Sequence, residues 1–261
     1  MISAVDVWTF VHILLFVYWL GADLGVFIAA QAAKRSNLTY PQRSTALQLA
    51  LKVDVAPRLS FALMFACGLE LAAAKGFVEP AGWQRALAWA ASIAWVSFVI
   101  GMVRFEGRPV ATFCKHANEW LHIALFVVFG ALGLASVAGY GPFPADWLGW
   151  KVLLFALIFV CGIMIDRRFA PMAPAFAQLA ATGSTPELER TITKAVDEAV
   201  HWVLALYALV TQFPVGYISD HYGRRPVIIG ANALAGLLAL APVPGLAQPA
   251  MAPSLNDYPT E

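Results

Sequence analysis

The apolar stretch of residues 5–33 limits what this chain can fold into more than any other part of the sequence. It is apolar for about 25 residues, long enough to cross a bilayer as one helix. It nevertheless contains His12 and, eleven positions later, Asp23. Eleven residues make about three helical turns, so both side chains lie on one helix face together with Trp19. Ionisable groups inside a membrane helix are costly and usually face a bundle interior, which makes this face a candidate site.

The composition extends this interpretation to the whole chain. Of 261 residues, 60% are hydrophobic and 13% are charged, and the mean hydropathy is +0.70. Soluble domains do not need so much apolar surface, so we expect an all-α integral membrane bundle with the lipid bilayer as its surroundings. The net charge of +1 comes without a basic stripe, which gives no reason to expect a nucleic-acid partner. Cys67, Cys114 and Cys161 form no CxxC pair, so neither covalent c-type haem nor a thiolate metal site is expected.

The apolar segments predict six or seven transmembrane helices. The six spans cover about residues 7–31, 58–74, 86–103, 120–140, 148–165 and 195–215. The polar stretch after the first span could form a short interfacial helix. Residues 166–194 are predicted as a loop with a helix start at Pro186. Residues 219–261 are predicted as a loop, a short apolar segment that could be a partial span, and a tail.

The positive charges predict the orientation of the bundle. The loops after the first, third and fifth spans carry most of them: Lys34, Arg35, Arg43, Lys52, Arg58, Arg104, Arg108, Lys115, Arg167, Arg168, Arg190 and Lys194. The opposite loops carry only Lys75 and Arg85. These three loops are therefore expected in the cytoplasm of a bacterium, with the N-terminus in the periplasm and the spans in the inner membrane. Arg224 and Arg225 depart from this pattern.

Two histidines are predicted at similar membrane depth. His122 and His201 each lie a few residues into a span from the cytoplasmic side. If their helices face each other, the two imidazoles could ligate the iron of a b-type haem from opposite sides. Glu119, Asp197 and Glu198 lie one turn outward and could accept from the second ring nitrogens or contact partners on the propionate side of a haem. Intramembrane histidines also serve proton relays, substrate binding and hydrogen bonds between helices, and these alternatives stay open.

Four other ionisable side chains are candidate site residues. His12 is expected near the outer surface, where it could serve a second haem or a quinone, with Lys151 at the same depth. Lys151 could instead be a ligand, a propionate contact or a snorkelling anchor. Asp23 and Glu70 are the deepest acids and could carry protons, bind a cation, or pair with Arg58 or another base near the cytoplasmic end. His12 and Asp23 are about 16 Å apart along the axis and cannot touch.

The first span resembles the opening of a family of small haem-binding membrane proteins. That family includes the HemJ-type protoporphyrinogen oxidases and the CopD-like copper-resistance proteins. The resemblance rests on His12, Trp19 and Gly21, and on a second similar segment, residues 147–168, with Trp150 and Lys151. It covers about a fifth of the chain and implies b-type haem binding. Asp23 stands where HemJ-type proteins are expected to have an arginine or an apolar residue, so protoporphyrinogen oxidation is not implied.

A second resemblance concerns residues 216–230, GYISDHYGRRPVIIG. This stretch is similar to the signature loop of major facilitator transporters, through the residues Gly216, Asp220, Gly223, Arg224 and Arg225. A facilitator needs about twelve spans, and this chain has room for half of them. We therefore expect a local tight turn with a basic anchor.

These patterns together predict a b-type cytochrome-like membrane subunit. It would bind one or two haems and pass electrons between a dehydrogenase partner, periplasmic or in the membrane, and the quinone pool. Two other interpretations stay open. The chain could be a membrane transporter for small solutes or metal ions, or a structural anchor of a larger complex.

Overall fold

The computed structural model describes residues 2–143 and 146–222, and the side chains of these up to residue 210. Within these ranges the regular structure is helical and no strand occurs. The helices are α1 (Ala4–Ala33), α2 (Tyr40–Val53), α3 (Val55–Ala74), α4 (Gly82–Arg104), α5 (Pro109–Val137), α6 (Asp146–Phe169), α7 (Met172–Thr182) and α8 (Pro186–Tyr222). The prediction of an all-α fold is confirmed for this part of the chain.

Five helical segments in the described ranges are long and apolar enough to cross a membrane. They are Ala4–Ala33, Tyr40–Ala74, Gly82–Arg104, Pro109–Val137 and Asp146–Thr182. The second joins α2 to α3 through Asp54, which keeps a helical backbone, and the fifth joins α6 to α7. The predicted sixth span lies within α8. The predicted seventh apolar segment lies outside the described residues.

Local sequence signals set several helix starts. Ser3 and Asp6 form a reciprocal capping box at the start of α1: the Asp6 amide donates to Ser3 Oγ (3.2 Å) and the Ser3 amide donates to Asp6 Oδ2 (2.9 Å). Helix α8 begins at Pro186, and its Leu188 amide donates to the Thr185 hydroxyl at 3.3 Å. The predicted helix start at Pro186 is confirmed.

The prediction of a loop over residues 166–194 is wrong. Helix α6 continues to Phe169, and α7 occupies Met172–Thr182. Four buried α7 side chains follow helical spacing on one face: Met172, Ala175, Phe176 and Leu179. Pro171 and Pro174 do not prevent the helix because they precede it and lie in its first turn, where no intrahelical amide donor is lost.

The chain divides into two compact units, Met1–Leu206 and Tyr207–Glu261. Every contact described below lies within the first unit. Of the second, the structure describes the last part of α8, with side chains only up to residue 210.

Two apolar groups form the interior of the first unit. The aromatic cluster comprises Trp19, Phe61, Phe65, Trp95, Phe129, Phe155 and Phe159, from α1, α3, α4, α5 and α6. The cap cluster joins the end of α1 to α2, α7 and α8 through Ala33, Leu47, Met172, Ala175, Phe176, Leu179, Leu188, Ile192, Ala195 and Val196. The polar groups of the candidate site lie around the aromatic cluster.

Candidate functional site

A network of half-buried ion pairs joins α3 to α6. It consists of Arg58, Asp54 and Asp166, and we call it the Arg58 cluster. The Arg58 guanidinium donates from Nη2 to Asp166 Oδ1 at 2.6 Å and from Nη1 to Asp166 Oδ2 at 3.1 Å. Its Nε donates to Asp54 Oδ2 at 2.5 Å. This bidentate geometry is the strong form of an arginine–carboxylate contact. The three side chains keep 30%, 23% and 34% of their surface for Arg58, Asp54 and Asp166, so the cluster reaches the surface of the unit.

Asp23 lies beside the Arg58 cluster without joining it. The charged groups that act on Asp23 are Asp54 and Arg58. In the described part of the chain Asp23 makes no hydrogen bond and no ion pair. The guanidinium nitrogens of Arg58 donate to Asp54 and Asp166 instead. The suggested pairing of Asp23 with Arg58 is therefore not formed.

His122 lies between the Arg58 cluster and the aromatic cluster. Its side chain is 8% exposed. Its ring meets the Trp95 ring edge-on at 4.8 Å between centroids and the Phe159 ring at 5.7 Å. Asp166, Arg58 and Glu119 are the charged groups that act on it. Its buried Nε2 has no hydrogen-bond partner, which is unusual for a buried polar atom and points to a missing partner.

The structure does not bring His201 to His122. The His201 side chain is exposed, and its Nδ1 lies 2.6 Å from the carbonyl oxygen of Asp197, one turn earlier in α8. His122 is instead enclosed by rings of α4 and α6. Their ligation of one haem stays a prediction, because nothing observed tests it.

The acids near these histidines do not bond to the imidazole rings. Glu119 accepts from Arg167 (2.5 and 2.9 Å). Glu198 accepts from Arg168 (2.8 Å), and Asp197 pairs with Lys34. These pairs connect α5 to α6, α6 to α8 and α1 to α8. In this structure the three carboxylates therefore pair with bases and do not accept from the imidazole nitrogens.

His12 packs against α3 near the other end of the bundle. Its Cε1 lies 3.5 Å from where a Cβ would stand on Gly68, so the ring packs closely against this part of α3. Its Nδ1 is buried and has no hydrogen-bond partner. Lys151 and Lys75 act on it electrostatically. The shared membrane depth of His12 and Lys151 stays a prediction.

The partners of Glu70 are a tryptophan and an arginine of α4, and neither His12 nor His122 is among them. Glu70 accepts from Trp89 Nε1 at 3.3 Å, and its Oε2 lies 3.6 Å from Arg85 Nη1. It lies twelve residues after Arg58 in α3, about 18 Å along the axis. The suggested pairing of Glu70 with Arg58 or another base at the Arg58 end is therefore wrong, because its partner Arg85 lies in the first turn of the next helix.

Sequence reasoning missed Asp54 and Asp166 as site residues. Asp166 is 108 positions from Arg58, so no local spacing connects them. The available signal was that an acid closes one apolar span and an arginine opens another on the same predicted side.

The described residues contain no group of three or more His, Cys, Asp or Glu side chains placed to bind a metal ion. Cys67, Cys114 and Cys161 are free and buried. Of the facilitator-like stretch 216–230, the backbone up to Tyr222 continues α8, and the remainder lies outside the described residues.

Comparison with known proteins finds no matching family model, no similar curated protein and no similar solved structure.

Proposed function

We propose that this chain is the haem-binding membrane subunit of an electron-transfer system, passing electrons between a dehydrogenase partner and the quinone pool. The observation that carries the proposal is the Nε2 atom of His122. It is buried, lacks a hydrogen-bond partner and lies beside a large aromatic cluster. An imidazole nitrogen in such surroundings is the type of ligand that holds haem iron.

The residues present fit this group in part. His122 offers one unpartnered nitrogen, and His12 offers a second at the Lys151 end, where a second haem or a quinone is proposed. His201 would supply a second iron ligand together with His122 only if its exposed ring turned inward. A bound b-type haem would supply one-electron chemistry. The aromatic cluster would exclude water around it, and the Arg58 cluster would place fixed charges nearby.

We propose six or seven spans in a bacterial inner membrane, with the N-terminus in the periplasm. The cross-helix ion pairs support this orientation, because they gather bases from several helices at one end: Lys34, Arg43, Arg58, Arg167 and Arg168. Bases concentrate on the cytoplasmic side of membrane proteins. Within the described residues, the opposite end carries Lys75 and Arg85.

The test is an absorption spectrum of the full-length protein, expressed with ample haem and purified in detergent, oxidised and then reduced with dithionite. We expect a low-spin Soret shift and split α and β bands, with the haem-to-protein ratio counting the sites. His122→Ala and His201→Ala should lose the low-spin signal, because an axial ligand is removed. His116→Ala, an exposed histidine on the same helix as His122, is the matched control and should keep it.

Full haem retention in both His122→Ala and His201→Ala would exclude these ligands. A colourless wild-type protein would instead favour a transporter or a structural anchor. Solute uptake into liposomes would then identify the transporter, and loss of a partner complex on deletion would identify the anchor.

A further inference from the structure

We propose that Asp23 is a proton-binding carboxyl group, loaded from the side of the bundle where the Arg58 cluster reaches the surface. The inference goes beyond the proposed electron transfer. Its first and third arguments do not involve haem, whereas the second concerns the protein before any iron occupies His122 Nε2.

The first argument is the distribution of charge around Asp23. Asp54 and Asp166 share the single guanidinium of Arg58, and Lys115 also acts on Asp166. The nearby Glu119 is paired with Arg167. Arg58 and Arg167 are thus already paired with other carboxylates, and Asp23 forms no ion pair with either of them. An unpaired charge inside a membrane helix is very costly, so a positive charge must reach this carboxyl group.

The second argument is the unsatisfied imidazole of His122. Its side chain is 8% exposed, its Nε2 has no partner, and Asp166 and Arg58 act on it from the same cluster. A buried polar atom without a protein partner indicates that a further polar species, such as a water molecule, reaches the protein interior beside the Arg58 cluster. This observation is independent of the acids themselves.

The third argument selects a proton over a metal ion. A bound cation needs several oxygen ligands at short range. Asp54 and Asp166 direct their oxygens to Arg58, and the described residues contain no group of three side chains suited to a metal ion. A single carboxyl group is sufficient for a proton.

The surroundings give the proton path a direction. Arg58, Asp54 and Asp166 are partly exposed, whereas the aromatic cluster beyond Asp23 is apolar. The proton therefore exchanges on the Arg58 side. Glu70, the other deep acid of the sequence, is excluded because Arg85 and Trp89 satisfy it.

The test is infrared spectroscopy of the full-length protein in liposomes at neutral pH, which reports protonated carboxyl groups by their C=O stretching band. We expect one such band in the wild type and its loss in Asp23→Asn. Asp6→Asn, an exposed acid at the start of the same helix, is the matched control and should leave the band unchanged. Asp23→Glu should restore a band at a shifted position, which a purely structural role would not produce.

Three outcomes would overturn the proposal: no band in the wild type, a band of equal strength in Asp23→Asn, or a band that disappears when choline chloride is replaced by sodium chloride. The last result would identify a cation site. Circular dichroism establishes that each variant is folded, and if Asp23→Asn does not fold, the band shift in Asp23→Glu decides. The haem spectrum of Asp23→Asn should match that of the wild type, so failure here is distinct from failure of the proposed function.

Discussion

Gly133 shows how one residue sets the approach of two membrane helices. A Cβ at this position would lie 2.7 Å from the Leu153 backbone nitrogen and 2.8 Å from its Cα. Backbone atoms cannot move aside as a flexible side chain can, and small residues allow such close contact between membrane helices. We expect Gly133→Ala to destabilise the α5–α6 pair by about 1–3 kcal/mol through overpacking, measured as a lower thermal midpoint in detergent.

Gly130, one turn earlier, provides the control for this prediction. A Cβ there would stand 4.0 Å from the Cβ of Ala156, which is ordinary contact. Gly130→Ala should leave the midpoint unchanged or raise it, because alanine is the better helix former. Equal losses in both variants would show that backbone proximity at Gly133 is not the cause.

At the scale of the helices, Arg43 and Glu189 connect α2 to the first turn of α8. Arg43 is 2% exposed, donates to both Glu189 oxygens (2.7 and 2.9 Å) and donates from Nε to the Ala33 carbonyl at 2.9 Å. These hydrogen bonds lower the pKa of Glu189. A lowered pKa in the folded state gives stability that is present above the ordinary carboxyl pKa and is lost as the pH falls through the folded value.

We therefore expect the wild-type cap cluster to lose stability as the solution is acidified below pH about 4. Glu189→Gln should melt a few degrees lower at neutral pH and should show a weaker dependence on pH in the acidic range. Thermal midpoints from neutral to acidic pH measure this effect. Glu187→Gln, an exposed acid in the same turn, is the control, and identical acid profiles for Glu189→Gln and the wild type would contradict the assigned role.

For the whole molecule, the orientation in the membrane can be tested with two exposed glutamates on opposite sides of α4. Glu79 precedes this helix and Glu106 follows it, so one crossing of the bilayer separates them. The charge distribution predicts that Glu79→Cys reacts with a membrane-impermeant maleimide on intact spheroplasts, whereas Glu106→Cys reacts only after permeabilisation. The native cysteines are at most 7% exposed, so their background labelling should be low.

The opposite labelling pattern would reverse the orientation and place the Arg58 cluster on the outer side. Labelling of both positions on intact spheroplasts would show that α4 does not cross the membrane.

The sequence by itself determined the helical membrane character of this chain. Long apolar segments contain enough information for that, because every backbone polar group in a bilayer must be satisfied within its own helix. Local signals were equally sufficient for the start of α8 at Pro186. They failed for α7, whose apolar face is explained only by the cap cluster it covers.

Only the tertiary structure decided which ionisable groups meet. Packing between helices that are distant in sequence brings Arg58 and Asp166 together. Glu70 of α3 pairs with Arg85 in the first turn of α4. Helical periodicity places a side chain on a face but does not say which neighbour covers that face. The predicted histidine pair shows this limit. The sequence predicts only a similar depth for the two rings. The burial of His122 depends on the α4 and α6 rings packed against it, and the exposure of His201 depends on which side of α8 its neighbours cover.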